Sequence, residues 1–413
     1  MKLKQFINII VLCFLFARCD GQDTTIINNN STQVVFVKTP NEVQEPIVVG
    51  AERTSIYLNE LIGKKVGIVA NHTSLIKNTN LVDSLLSLKI NVVRVFSPEH
   101  GFRGTADAGE KVKSNSDSKT GLPIVSLYGK NKKPLPEQLK DLDVIIFDIQ
   151  DVGARFYTYI STMHYVMEAC AENKKKLILL DRPNPNGHYV DGPVLDKKFT
   201  SFIGMHPVPI VHGMTIGEYA KMINGEGWLA NHVKCDLTIV EVKNYNHTTF
   251  YDLPVKPSPN LPNMSSIYLY PSLCLFEGTP ISVGRGTDLP FQILGHPKLT
   301  SERYSFIPKS MEGAKSPILE GEKCNGYNLS LFGTEYVKGK GSINLFWLID
   351  IYNHFPDKTV FFNEQFNLLA GTDQLQQQIK AGKTEEEIIA SWAVGLSKFK
   401  LIRKKYLLYQ DFE

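Results

Sequence analysis

The sequence predicts an α/β protein built on a parallel, helix-covered sheet, and two observations predict it. From Lys64 onward, short runs of β-branched and aromatic residues alternate with amphipathic segments, the pattern of strands buried on both faces by crossover helices. Polar clusters recur just beyond those runs, at the carboxyl ends of the strands, where open α/β sheets bind their ligands.

Taken in order, strands are expected at 65–70, 92–96, 124–127, 144–149, 177–180 and 209–211, and helices at 81–88, 136–139, 156–171 and 216–223. The helix beginning near Arg155 has the clearest pattern, with Phe156, Tyr159, Ile160, Met163, Val166, Met167 and Cys170 spaced for one buried face. Asn71-His72-Thr73 follows the first strand. Glu99, His100 and Arg103, framed by Gly101 and Gly104, follow the second. Gln150-Asp151 follows the fourth, Asp181-Arg182-Pro183-Asn184 the fifth and His212-Gly213 the sixth. Any one of Asp151, Asp181 or Asn184 alone suits a helix cap or an Asx turn. Five such clusters together point to a shared crevice.

After about residue 260 the texture changes. The run Lys256-Pro257-Ser258-Pro259-Asn260-Leu261-Pro262 can be neither helix nor inner strand, and it carries the chain from a sheet domain, 46–262, into a second unit, 263–413. There Glu277-Gly278-Thr279 and the Gly-rich stretch from Ser282 to Asp288 stand out, but Gly284-Arg285-Gly286 lacks the further glycines and flanking elements of a nucleotide fingerprint. The span 373–409 reads as two helices, with Leu375, Ile379, Ile388, Ile389, Trp392, Leu396, Phe399 and Ile402 assigned to core.

A chain of 413 residues with 43% hydrophobic content buries a large core, and its formal net charge of +3 gives no bulk electrostatic reason to expect nucleic acid or an anionic membrane surface as partner. Lys2 and Lys4 precede an apolar run from Phe6 to Phe16, too short for a permanent span, so residues 1–19 read as a targeting segment and the protein as exported. Cys19 stands where a bacterial lipoprotein signal is cut and lipidated, although Arg18 is awkward at such a site, and 20–45 reads as a disordered tether. On that reading the address is the periplasm or a membrane, reached only through a lipid anchor. An ordinary secretory signal is the alternative. Four later cysteines allow disulfides in an exported protein but favour no pairing. Hydrolase elbows, zinc helices and phosphate loops are missing from the sequence, and His72, His100 and His212 have no ligand spacing, so no metal or cofactor is expected.

Several long blocks in one order carry a resemblance. Pro98-Glu99-His100-Gly101-Phe102-Arg103-Gly104, the stretch Asp148 to Tyr159, Asp181-Arg182-Pro183-Asn184-Pro185, Glu277-Gly278-Thr279 through Asp288, Gly371-Thr372-Asp373 and the stretch Ser391 to Tyr409 resemble the exo-β-N-acetylmuramidase family, once known as a domain of unknown function. The resemblance covers roughly 45–413. It implies a Rossmann-like N-terminal domain, a smaller α+β C-terminal domain and an active-site cleft between them. It also implies release of N-acetylmuramic acid from the non-reducing ends of peptidoglycan fragments, with Glu99 in the cleft.

The chemistry agrees on Glu99. Breaking a glycosidic bond needs a carboxylic acid to protonate the leaving oxygen and a second group to stabilise or trap the oxocarbenium-like centre. Glu99 is the expected acid, with His100 beside it. Asp151, Glu277 and the substrate's own acetamido oxygen compete for the second role. A muramic acid carries a lactyl carboxylate, which a guanidinium meets best. Arg103, Arg155, Arg182 and Arg285 all fall in candidate loops, with Arg155 and Arg285 favoured as the partner. Asn71, His72, Gln150, Tyr157, Asp181, Asn184, His212 and Asp288 complete the expected binding set. A peptidoglycan glycan lyase, a general exo-hexosaminidase and a non-catalytic glycan-binding lipoprotein are the alternative functions.

Overall fold

Alternation along each strand decides how the chain stacks. In the computed structural model, which describes residues 45–103, 115–300 and 304–413, six parallel strands form the core: β1 (Val66–Ala70), β2 (Val92–Ser97), β3 (Pro123–Ser126), β4 (Val144–Asp148), β5 (Lys176–Leu180) and β6 (Leu237–Val240). They lie in the order β3-β2-β1-β4-β5-β6, with Asn115–Ser116 added antiparallel on the edge beside β3. This is the doubly wound order in which the direction of winding reverses between β1 and β4. Val66 opposes Val144 and Ala70 opposes Asp148 across that reversal. The targeting segment, Cys19 and nearly all of the tether lie outside the described residues.

Ile68, Ala70, Val95, Ile146 and Ile178 face one side of the sheet and pack with Tyr57, Leu61, Leu81 and Leu85. These last four come from helices α1 (Thr54–Leu61) and α2 (Leu81–Ser87). Val69, Phe96, Ile145, Phe147, Leu177 and Leu179 face the other side, where they join a larger core that continues into the C-terminal half. Helices α3 (Pro136–Leu139), α4 (Tyr159–Glu172) and α5 (Ile216–Gly225) complete the N-terminal part. Beyond it come α6 (Met264–Leu273), a three-stranded antiparallel sheet of β7 (Ile293–His296), β8 (Ser305–Phe306) and β9 (Cys324–Asn328), and then α7 (Phe346–His354), α8 (Glu364–Ala370), α9 (Gln374–Lys380) and α10 (Glu385–Arg403). Trp392 is buried in the core, as its spacing predicted.

The end of the chain returns to the sheet domain. Tyr409 donates its hydroxyl to Asp181 at 2.6 Å, and the backbone N–H of Leu408 donates to Glu218 at 2.8 Å. Cys170, Cys235, Cys274 and Cys324 are all buried as free thiols. Among the described residues no helix is long and apolar enough to cross a membrane.

Two expected elements differ. Residues 209–211 are not a sheet strand: Val211 makes only single bridges to Ala154 and Asp191, and the sixth strand is β6. Helix α4 starts at Tyr159, because residues 155–158 form a turn in which the Arg155 N–H donates to Ile210 O at 2.7 Å.

Candidate active site

The turn after β2 is built to present Glu99. Pro98 O accepts from Gly101 N at 3.2 Å, so Glu99 and His100 are the two central residues of the turn. His100 has φ 68° and Gly101 φ 77°. A positive φ at the third position is what a type II turn requires, and a histidine held there stores strain of about 1–3 kcal/mol, a feature that clusters at functional sites.

Glu99 and His100 line a cavity of about 210 Å³. Tyr128, two residues beyond the end of β3, Phe156 to Tyr159 beyond β4, and Phe202 and Ile203 supply the rest of the N-terminal wall. Ser258, Asn260 and Leu261 come from the proline-rich run, and Tyr270, Glu277, Arg285, Phe291 and Gln365 from the C-terminal half. The cavity therefore lies where the two halves meet, over the carboxyl ends of β2, β3 and β4. Its walls are aromatic: Tyr157 meets Tyr159 edge-on at 4.8 Å and Tyr270 at 5.8 Å, and Tyr270 meets Phe291 at 5.0 Å. Such rings offer a sugar an apolar face and polar tips.

The polar groups are individually held. Thr158 donates its hydroxyl to Glu99 Oε2 at 2.8 Å, and the Tyr128 hydroxyl is hydrogen-bonded to Glu99 as well. Burial and the neighbouring Glu99 charge push the Tyr128 and Tyr159 hydroxyls well above their usual range, so both stay protonated donors. Tyr157 and Tyr159 both donate to Pro257 O, at 3.0 and 3.3 Å, and Asn71 Nδ2 donates to the Tyr159 oxygen at 3.0 Å. On the C-terminal wall Arg285 Nε and a terminal nitrogen both lie 2.8 Å from Glu277 Oε1, while Cys274 Sγ donates to Oε2 at 3.4 Å.

A doubly wound sheet implies a dinucleotide between β1 and β4, and the residues there do not fit one. The turn after β1 is Asn71-His72-Thr73-Ser74, without a glycine for close backbone approach. Ser74 Oγ donates to Asp148 O, Gln150 N donates to Thr73 Oγ1 at 3.0 Å, and Arg182 donates to Leu75 O at 2.9 Å. The chain's own bonds close that crevice.

Residues 66–265 match the family described as exo-β-N-acetylmuramidase NamZ, N-terminal, and residues 268–409 match its C-terminal counterpart. The chain belongs to this exo-β-N-acetylmuramidase family. It is 40% identical over 375 residues to the peptidoglycan β-N-acetylmuramidase NamZ of Bacillus subtilis (strain 168), covering 86% of this chain and 89% of that protein. Among solved structures it is similar to a DUF1343 family protein from Bacteroides fragilis NCTC 9343, with 51% identity, a TM-score of 0.83, and 89% and 100% of the two chains covered. A second protein of that family from the same organism matches at 29% identity and a TM-score of 0.76, covering 88% and 99%.

Within this muramidase fold the expected site residues divide sharply. Glu99, His100, Tyr157, Glu277 and Arg285 come together in the cavity. The others do not line it. Arg103 pairs with Asp117 at 2.7 and 3.1 Å, and Arg182 with Asp148 at 2.5 and 2.9 Å. Arg155 is fully buried and donates to Pro193 O, Val208 O, Leu369 O and Ala370 O at 2.7–2.9 Å. Burial lowers it to about 9. None of these three arginines lines the cavity, and Arg155 is the most enclosed of them.

The remaining candidates order loops. Asp151 accepts from Gly153 N at 2.7 Å and is pushed by burial to about 7. Asp181, pushed by burial to about 6, accepts from Thr215, Gly217 and Tyr409. Asn71 supports Tyr159 from behind, and Gln150 Nε2 donates to Asp151 O and Pro183 O. Asn184 Nδ2 donates to Met214 O at 2.8 Å. His72 is bonded through Nε2 to Lys256 O at 2.8 Å, and buried His212, lowered by that burial to about 3, accepts from Met214 N at 3.3 Å. Asp288 is exposed and lines a neighbouring cavity. Sequence reading missed Tyr128, Thr158, Tyr270, Phe291 and the Ser258–Leu261 backbone. Tyr128 carried a usable signal, since it too follows a strand end.

Proposed function

We propose that this muramidase releases N-acetylmuramic acid from the non-reducing ends of peptidoglycan fragments, with Glu99 as the general acid. The observation that carries the role is the placement of Glu99: it lines an aromatic cavity at the junction of the two halves and shares it with a second carboxylate, Glu277, from the C-terminal half. Glu99 protonates the leaving glycosidic oxygen. Charge then develops on the sugar ring, and Glu277 or the substrate's acetamido oxygen stabilises it. Asp151, the other carboxylate weighed for that task, lies outside the cavity lining.

Arg285 is the residue we assign to the lactyl carboxylate. Its bonds to Glu277 occupy two of five N–H donors, leaving others for a substrate, and its guanidinium is held over the Phe291 ring at 5.0 Å. The rings of Tyr157, Tyr270 and Phe291 pack against the sugar.

Incubation with a muramic-acid-terminated disaccharide tests the reading by product mass. Hydrolysis adds the mass of water, elimination does not, and a non-catalytic binder changes nothing. Glu99→Gln should keep the fold by circular dichroism and lose turnover by at least about a hundredfold. A folded and fully active Glu99→Gln protein removes Glu99 from the mechanism. For the address, we propose that Cys19 is the first mature residue and carries lipid, in the periplasm or on a membrane. Cys19→Ala should then release a soluble exported form, and a wild-type protein already soluble with another N-terminus refutes this.

A further inference from the structure

Thr158 is the N-cap residue of α4, a position where a threonine hydroxyl normally accepts a bond from a backbone N–H of the first turn. Here it makes no such bond. Its hydroxyl donates instead to Glu99 Oε2 at 2.8 Å, across 59 residues of sequence. Tyr128, just past the end of β3, brings a second hydroxyl to the same carboxyl. The Tyr128 ring is itself set against Phe202, with centroids 6.3 Å apart, and Phe202 lies under Lys132 at 4.0 Å. Glu99 is thus gripped by residues at the ends of two other elements, α4 and β3.

We propose that Thr158 and Tyr128 are positioning residues that hold the Glu99 carboxyl in its working orientation. The proposal rests on the general-acid reading of Glu99. A carboxyl on a two-residue turn has free rotation about its side-chain bonds, and a misplacement of about 1 Å can cost a hundredfold in rate. Two hydroxyls from separate elements remove that freedom. A protonated carboxyl can donate to one of the two hydroxyls while it still accepts from the other, so the grip survives the proton transfer.

The other groups facing Glu99 do not duplicate this. His100 is on its own turn, with His72 close enough to act on it electrostatically. Tyr159 acts on Glu99 through space, with its hydroxyl directed to Pro257 O. Glu277 and Arg285 on the far wall are bonded to one another.

The test is kcat and KM measured separately on a chromogenic muramic acid glycoside for Thr158→Val, Thr158→Ser, Tyr128→Phe and Glu99→Gln, with circular dichroism to confirm folding. Thr158→Val and Tyr128→Phe should each lower kcat about tenfold to a hundredfold with little change in KM. Thr158→Ser keeps the hydroxyl and should restore kcat. If kcat is unchanged in Thr158→Val or Tyr128→Phe, or if Thr158→Ser behaves like Thr158→Val, the positioning proposal is overturned whatever Glu99→Gln does. A folded and fully active Glu99→Gln protein overturns the general-acid reading, and this proposal with it.

Discussion

Arg155→Lys separates a structural guanidinium from a substrate-binding one. The wild-type side chain reaches four carbonyls from three segments: Pro193 and Val208 in the sheet domain and Leu369 with Ala370 at the end of α8. Among the described residues no carboxylate lies within ion-pair reach of it. Lysine offers three donors from one point in place of a planar fork, so at least one buried carbonyl loses its partner and a second is poorly met. At about 1–3 kcal/mol for each unsatisfied group, the expected loss is about 2–5 kcal/mol, a large share of a stability of about 5–15 kcal/mol. Urea unfolding at pH 7, followed by circular dichroism, should show the midpoint fall. The ratio of kcat/KM for muramic acid over N-acetylglucosamine glycosides, measured on the folded variant, should stay within about twofold of wild type. Unchanged stability with collapsed discrimination would place Arg155 at the substrate and refute the architectural assignment.

Arg285→Lys should do the reverse. Loss of the fork opposite a lactyl carboxylate should cost about 1–3 kcal/mol of discrimination, roughly tenfold to a hundredfold in the same kcat/KM ratio, with the urea midpoint little changed. Equal rates of the wild-type protein on the two sugars would sink the carboxylate clamp and leave a general exo-hexosaminidase. Asp151→Asn should alter the pH dependence of stability. Burial raises the folded-state value to about 7, above an unfolded value of about 3.9, so the group's contribution is fully present below about pH 4 and is lost as pH rises through 7. Between pH 5 and 8 the wild type should therefore lose about 3 kcal/mol relative to Asp151→Asn. His212, lowered by burial to about 3, has the opposite slope and cancels in the comparison. A constant difference between the two proteins across that range contradicts the burial of an ionisable Asp151.

Five of the six parallel strands were legible as short apolar runs, β1 and β4 buried throughout and β2, β3 and β5 in part. The sixth was not. Leu237–Val240 is partly exposed at the sheet edge and has too little contrast to stand out, whereas 209–211 has the right residues but spends its backbone elsewhere, Val208 O and Ile210 O both accepting from Arg155. The start of α4 was read early for a related reason. Phe156 is buried and in phase with the helix, but phase cannot reveal that the Arg155 N–H is taken by a carbonyl 55 residues away.

The same limit governs the site. Residues at the carboxyl ends of parallel strands have two uses, meeting a ligand and tying the loops that leave the sheet, and both call for Asp, Asn, Arg and His. What separates them is the identity of the distant partner. Arg182 closes on Asp148 at the end of the adjacent strand, Arg103 on Asp117, and Arg155 on carbonyls up to 215 residues away. None of these partners can be picked out from the arginine's own neighbourhood. Arg285 differs because its partner Glu277 is only eight residues upstream. That pair is a local unit, delivered to the cavity whole. A local ion pair leaves both charges where the loop goes, and this loop goes to the cavity.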